Sequence, residues 1–152
     1  MNHLLALCGF MGCGKTTVGK ALAERLRLPF LDLDDDIRQA TRQSIAALFD
    51  QLGEEGFRRL ETRQLRQALE SDTPGVLALG GGCPLSEQNA ALLRQHTTLL
   101  LLDTPFELCY ERILADEGRP LAYQKTKEEL WRLYRERRPV YLERCDGILV
   151  WK

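Results

Sequence analysis

No run of apolar residues in this chain approaches the roughly 20 needed to cross a bilayer, and the N-terminus carries neither the basic start nor the cleavage site of a signal peptide. A membrane span is therefore not expected, and the cytoplasm is the expected compartment. Charge of one sign is lacking as well. The 21 Lys and Arg against 22 Asp and Glu leave a net charge of -1, which gives no electrostatic case for nucleic acid or an anionic membrane as partner. The five cysteines (Cys8, Cys13, Cys83, Cys109 and Cys145) are odd in number, scattered, and contain no C-x-x-C pair. That fits neither a disulfide framework nor a zinc site. Internal repeats, low-complexity tracts and proline-rich linkers are also missing. What remains is a chain of 152 residues, 44% hydrophobic and 28% charged, read as one domain over 1–152 that acts as a monomer. It is long enough to bury about two-thirds of its unfolded surface.

Apolar runs alternate with helical patterns. The strand candidates are 3–8, 29–33, 75–79, 98–102 and 147–151. Each is short and lacks polar alternation, as expected of strands covered on both faces of a parallel sheet. Helices are expected near 15–26, 34–41, 44–70 (broken around Gly53 to Gly56), 86–95, 105–116 and 126–143. Ser44 suits an N-cap, Ile45, Leu48, Phe49 and Leu52 make one apolar face, and Pro105 suits a first helical turn. Strands alternating with helices predict an α/β doubly wound fold, whose ligands bind beyond the carboxyl ends of the strands.

At the end of the first strand, Gly9-Phe10-Met11-Gly12-Cys13-Gly14-Lys15-Thr16 is a complete G-x-x-x-x-G-K-[ST] phosphate-binding loop between a strand and a helix. The glycines let successive N–H groups converge on phosphate oxygens, and the helix N-terminus adds positive potential. Gly12, Cys13, Gly14, Lys15, Thr16 and Thr17 are thus the nucleotide-binding set. Lys15 reaches the β- and γ-phosphates, and the Thr16 hydroxyl is a Mg²⁺ ligand. Cys8 and Cys109 read as small core residues. Cys13, close to a helix N-terminus, sits where a thiol tends to become reactive, with structural filling as the default reading.

Four further features surround the loop. Asp32 and Asp34 end the second strand and would point to one side of an extended chain; phosphoryl transfer needs one carboxylate near the metal and one to orient or deprotonate the attacking hydroxyl. Asp35 and Asp36 read as an acidic start to the next helix. Phe57 and Leu60 would face the core while Arg58, taken alone a solvated helix residue, reaches toward a cleft with Glu61 one turn on to hold its guanidinium. Gly80-Gly81-Gly82 follows the third strand and allows a ligand close to bare backbone. Downstream, Arg112, Arg119 and the cluster Arg135, Arg137 and Arg138 offer cations for phosphate or carboxylate.

Taken in order, the phosphate loop continued by Thr17-Val18-Gly19, Asp32-x-Asp34, Ile45-x-x-Leu48-Phe49, Gly53-Glu54-x-x-Phe57-Arg58-x-x-Glu61, Gly80-Gly81-Gly82, Arg119-Pro120-Leu121 and Arg137-x-Pro139-x-Tyr141 resemble the shikimate kinases, within the P-loop nucleoside-monophosphate-kinase-like group. The resemblance runs from Leu4 to about Val150. It implies a three-layer α/β sandwich with a mostly parallel five-stranded sheet, as in P-loop NTP hydrolases, and transfer of the ATP γ-phosphate to the 3-hydroxyl of shikimate with Mg²⁺ as cofactor. On this pattern Lys15, Asp34 and Arg119 are catalytic, and Asp34 binds the hydroxyl. Asp32 and Thr16 serve the metal, and Arg112 and Arg119 meet the nucleotide. Arg58, Arg137 and the backbone at Gly80, Gly81 and Gly82 hold the substrate. A mobile lid is implied near 113–126. Two departures stand out: Cys13 replaces the family's usual serine or alanine, and the pattern's adenine-contacting loop and closing helix have no counterpart before Trp151-Lys152. The competing readings are another small-molecule kinase, such as a gluconate kinase, and a non-catalytic nucleotide-binding protein.

Overall fold

The computed structural model describes residues 3–115 and 125–150. Five strands, β1 (Leu4–Cys8), β2 (Phe30–Asp32), β3 (Gly75–Ala78), β4 (Thr97–Leu101) and β5 (Gly147–Ile148), form one sheet in the order β2-β3-β1-β4-β5. All four pairings are parallel. Helices α1 (Lys15–Leu26), α2 (Leu33–Thr41), α3 (Ile45–Glu70), α4 (Glu87–His96), α5 (Phe106–Ala115) and α6 (Lys127–Arg144) complete the described residues, with a 3₁₀ turn at Cys83–Leu85.

Two-sided burial explains why the strands read as unbroken apolar runs. In β1, Ala6 and Leu7 are both 0% exposed, as are Val76 and Leu77 in β3. Neighbours along a strand enter different clusters. Leu7, Val76 and Ala23 of α1 form one; Ala6 and Leu77 join the larger one, with Leu33, Ile37, Phe57, Leu93, Leu130 and Tyr141 from the opposite layer. Alternation is still there, but both faces are covered, so it does not show as a polar pattern. Among the described residues no helix is long and apolar enough to cross a membrane.

Several boundaries differ from the sequence reading. The chain leaves the sheet at Asp32, and Leu33 already belongs to α2, because the Asp32 side chain caps that helix. Helix α3 is bent at Gly53, whose φ of 71° and ψ of 174° only glycine adopts cheaply. Ser44 caps it, its hydroxyl accepting from the Ala47 N–H. Leu52 does not join the core face. It is 47% exposed and lies across the bend, where a Cβ on Gly56 would come within 2.8 Å of its own Cβ. Pro105 stands just before α5, its carbonyl accepting from the Cys109 N–H at 3.1 Å. Strand β5 spans two residues because pairing to β4 covers only Leu100 and Leu101. The 3₁₀ turn was not legible in the sequence.

Leu77 fills the sheet centre with no exposed surface, so Leu77→Ala is expected to cost about 2–5 kcal/mol from lost burial plus a cavity. Urea unfolding of both proteins measures this; a loss under about 1 kcal/mol would contradict the packing described.

Candidate active site

The loop 9–16 leaves the carboxyl end of β1 and enters α1. Gly12 and Gly14 have φ of 79° and 102°, a left-handed backbone that would strain any side-chain-bearing residue. No side chain caps the start of α1 and no acidic residue lies in its first turn. Its N–H groups and positive dipole end are therefore offered to an anion. The Lys15 ammonium folds over the loop, donating to the carbonyls of Gly9 (2.7 Å) and Phe10 (3.3 Å), with Cys13 Sγ at 3.6 Å. The Cys13 side chain is buried, so this residue meets a ligand through its backbone alone. Its carbonyl accepts from the Thr104 hydroxyl at 2.9 Å. Cys8 is buried too, and burial pushes its thiol up to about 12.

Beside the loop opens a cleft of about 210 Å³, lined by Gly12, Gly14, Lys15, Thr16, Thr17, Asp32, Asp34, residues 78–81 and Arg112. The two aspartates reach it differently from the extended-chain expectation. Asp32 ends β2, whereas Asp34 sits in the first turn of α2. Helix entry turns both toward the cleft. Asp32 Oδ1 accepts from the N–H groups of Asp34 (3.0 Å) and Asp35 (3.3 Å), while Oδ2 accepts from the Thr16 hydroxyl at 3.2 Å. A hydroxyl and a carboxylate already in contact, next to a phosphate loop, are hard oxygen donors of the kind Mg²⁺ uses when phosphates and water complete its shell. No group of three or more His, Cys, Asp or Glu able to hold a metal occurs among the described residues. The donor set therefore fits a metal shared with a nucleotide, not one caged by protein.

Across the cleft the three glycines form a turn with a different ionic group beside each. A Cβ on Gly80 would lie 3.2 Å from Asp34 Oδ1 and 3.1 Å from Glu61 Oε2; on Gly81 it would lie 3.4 Å from Arg137 Nη1; on Gly82 it would fall on the Arg58 guanidinium. At Gly82, and more narrowly at Gly80, a side chain would crowd these groups, so bare backbone there leaves room for the four to converge. Arg58 is fixed by Glu61, with Nη1 to Oε1 at 3.0 Å, and stands 5.5 Å and 5.8 Å from the ring centres of Phe57 and Phe49, within range of the aromatic quadrupole. Hence it is not a solvated helix residue. Glu61 is 1% exposed; burial raises its carboxyl pKa, against the pull of Arg58. Arg137 is 7% exposed, and its Nε has no partner, nor has Glu61 Oε2.

The structure also separates the arginines that the sequence left together. Arg137 turns inward to the glycines. Arg138 forms a two-pronged pair with Asp103 at 2.8 and 2.7 Å, and Arg135 lies 6.0 Å from the Trp131 ring centre. Arg112 lines the cleft and donates to the Gly12 carbonyl at 3.2 Å. Arg119, with most of the expected lid at 113–126, lies outside the described residues. Sequence reasoning missed the cleft-lining Ala78 and Leu79, and it gave no role to Tyr141, whose hydroxyl donates to the Gly81 carbonyl at 2.5 Å. The signal for Tyr141 was its position four residues after Arg137, on the same helical face.

Because the folded chain holds the Glu61 proton more tightly than the unfolded chain, ionising this group costs stability, and the cost grows as pH rises above the ordinary glutamate range. Glu61→Gln removes that pH dependence. Urea midpoints of the two proteins are expected to shift in the mutant's favour between pH 4 and pH 8; parallel profiles would show that burial does not penalise the carboxylate.

Comparison with known proteins agrees with this geometry. The family model described as shikimate kinase matches residues 11–150. A shikimate kinase of Dictyoglomus turgidum is 39% identical over 99% of this chain and 88% of its own length, and that of a Nostoc species is 44% identical over 90% and 75%. Among solved structures, shikimate kinase from Acinetobacter baumannii in complex with shikimate superposes with a TM-score of 0.92 at 36% identity, covering all of this chain and 85% of that one. The Aquifex aeolicus enzyme gives 0.81 at 33% identity, over 96% and 85%. With a family model spanning nearly the whole chain, relatives near 40% identity and the same fold, the chain belongs to the shikimate kinase family.

Proposed function

We propose that this protein transfers the γ-phosphate of ATP to the 3-hydroxyl of shikimate, the acceptor step of the chorismate route to aromatic amino acids. The observation that carries the reading is the glycine turn 80–82, where two carboxylates, Asp34 and Glu61, and two guanidinium groups gather beside the cleft that Lys15 lines. A small acid bearing a hydroxyl asks for those groups in that arrangement. Arg58 and Arg137 take the substrate carboxylate, a task suited to the planar guanidinium fork. Asp34 accepts a hydrogen bond from the reacting hydroxyl and takes its proton as the oxygen attacks. The backbone at Gly80, Gly81 and Gly82 forms the wall against which the ring lies.

On the nucleotide side, backbone at Gly12, Cys13, Gly14, Thr16 and Thr17 cradles the phosphates. Lys15 exchanges its loop carbonyls for phosphate oxygens, offsetting charge that develops on the transferring group. Arg112 holds the nucleotide above Gly12 and Gly14. Thr16 and Asp32 would hold Mg²⁺, which would supply positive charge to offset that of the phosphates. Arg119, by its place in the motif, closes over the phosphates. The reading treats the chain as one domain working as a monomer in the cytoplasm. Its free cysteines suit a reducing compartment.

A coupled ADP-release assay with shikimate, gluconate and nucleoside monophosphates tests the reading. Turnover is expected with shikimate only. A preference for gluconate or for a nucleoside monophosphate would overturn it.

Gly82 supplies a sharper test. Its backbone is ordinary helical (φ -91°, ψ -8°), so alanine is not strained there, and the atoms that a Cβ meets are the movable end of Arg58. Gly82→Ala is expected to displace that guanidinium and raise the shikimate KM by more than about tenfold, since disturbing one partner of a buried charge contact costs about 2–5 kcal/mol. The ATP KM and the melting temperature should change little. Steady-state kinetics in both substrates, with a thermal melt, check this; an unchanged shikimate KM would remove Arg58 from the substrate clamp.

A further inference from the structure

Tyr141 is not in the nucleotide cleft, is 2% exposed, and has no part in the chemistry above. Its hydroxyl nevertheless joins two elements of the acceptor site. It donates to the Gly81 carbonyl at 2.5 Å, and the Arg137 side chain, one helical turn earlier on α6, reaches the same residue. A phenol has one proton to give and lone pairs to receive. Its proton is committed to Gly81, and its lone pairs stand in the field of the nearby Arg137 cation. Arg137 Nη1 stands 3.4 Å from where a Gly81 Cβ would be, so guanidinium and phenol both meet Gly81.

Each end of this relay needs holding. The peptide between Gly81 and Gly82 has no Cβ on either side, and such a peptide turns over with little steric resistance; fixing its carbonyl fixes the direction of its N–H as well. At the other end Arg137 is buried with Nε unpartnered, and no carboxylate forms an ion pair with it among the described residues. A long side chain of that kind loses much rotamer freedom when it binds a ligand. The arrangement reaches across the molecule, from the third-strand turn to the last helix, and exchanges no charge with solvent. Burial also raises the phenol well above its usual titration range, so the hydroxyl remains a donor at every pH at which the protein works.

We propose that Tyr141 is a positioning residue for the acceptor site: its hydroxyl sets the Gly81–Gly82 peptide, and with it the Arg137 guanidinium that lies against Gly81, in the geometry that receives the substrate. The inference rests on the shikimate reading for the name of the ligand, not for the relay itself. Removing the hydroxyl should loosen both ends together and leave the nucleotide side alone. Because the benzene ring stays, packing in the core that Tyr141 shares with Leu130 and Phe57 should persist.

The test is Tyr141→Phe, measured by shikimate-binding calorimetry and by steady-state kinetics in both substrates. Wild-type protein must first bind and phosphorylate shikimate; if it does neither, the functional reading fails, and the relay as a substrate-positioning device fails with it. Given wild-type turnover, the mutant is expected to bind shikimate about tenfold more weakly, with a matching rise in shikimate KM, an ATP KM within about twofold of wild type, and a melting point only a few degrees lower. In an Arg137→Ala background the same change should cost much less, because one end of the relay is already gone. Unchanged shikimate affinity, equal losses for shikimate and ATP, or full additivity with Arg137→Ala would each overturn the proposal. So would wholesale unfolding of Tyr141→Phe, which would show that the phenol serves the fold.

Discussion

A parallel sheet covered on both faces leaves charge only its two ends, and the chemistry of this protein follows from that constraint. Leu7, Val76, Leu77 and Leu101 are sealed between helices, so an ionic group along the strands would be buried without water. Where β1, β2 and β3 stop, the chain is free of that restriction. The phosphate loop, Asp32 and the three glycines begin within one or two residues of those carboxyl ends. Parallel register then brings three sequence-distant ends side by side, since Leu31 pairs with Leu77 and Leu77 with Ala6.

Stability is given up to make the site. Glu61 and Arg137 are nearly without exposed surface, and each keeps a polar atom with no partner, an arrangement that costs free energy in an apoprotein. Three successive glycines add unfolded-state entropy. Such local conflicts between fold and residue choice mark functional positions. Here Arg137 and the glycines are residues that the family resemblance assigns to the substrate, and Glu61 holds Arg58, another of them.

Helix α6 carries Arg137, so its register against the phosphate loop matters, and a set of contacts well away from the substrate fixes it. Arg138 pairs with Asp103, the Tyr134 hydroxyl donates to the Thr104 carbonyl at 2.8 Å, and Thr104 in turn donates to the Cys13 carbonyl. Phe10, Phe106, Trp131 and Tyr134 pack edge-on or stacked around this strap. Helix α6 and the phosphate loop are thus tied through the β4–α5 connection.

The sequence alone determined the strand order of events along the chain, the phosphate loop, the break at Gly53, the cap at Ser44 and the family. Each of these depends on neighbours in sequence, on period, spacing or a backbone angle that one residue type permits. It also named Asp32 and Asp34, though for a partly mistaken reason, because the cap that bends the chain out of β2 at Asp32 could not be told from one more extended residue. The tertiary structure decided which arginine does what. Arg135, Arg137 and Arg138 are indistinguishable as a basic cluster, and so is Arg58 beside Arg59, until helix packing turns one of each set inward. Burial, the partner across the cleft and the absent Cβ on Gly81 or Gly82 come from segments tens of residues away, and a contact of that kind leaves no local pattern to read.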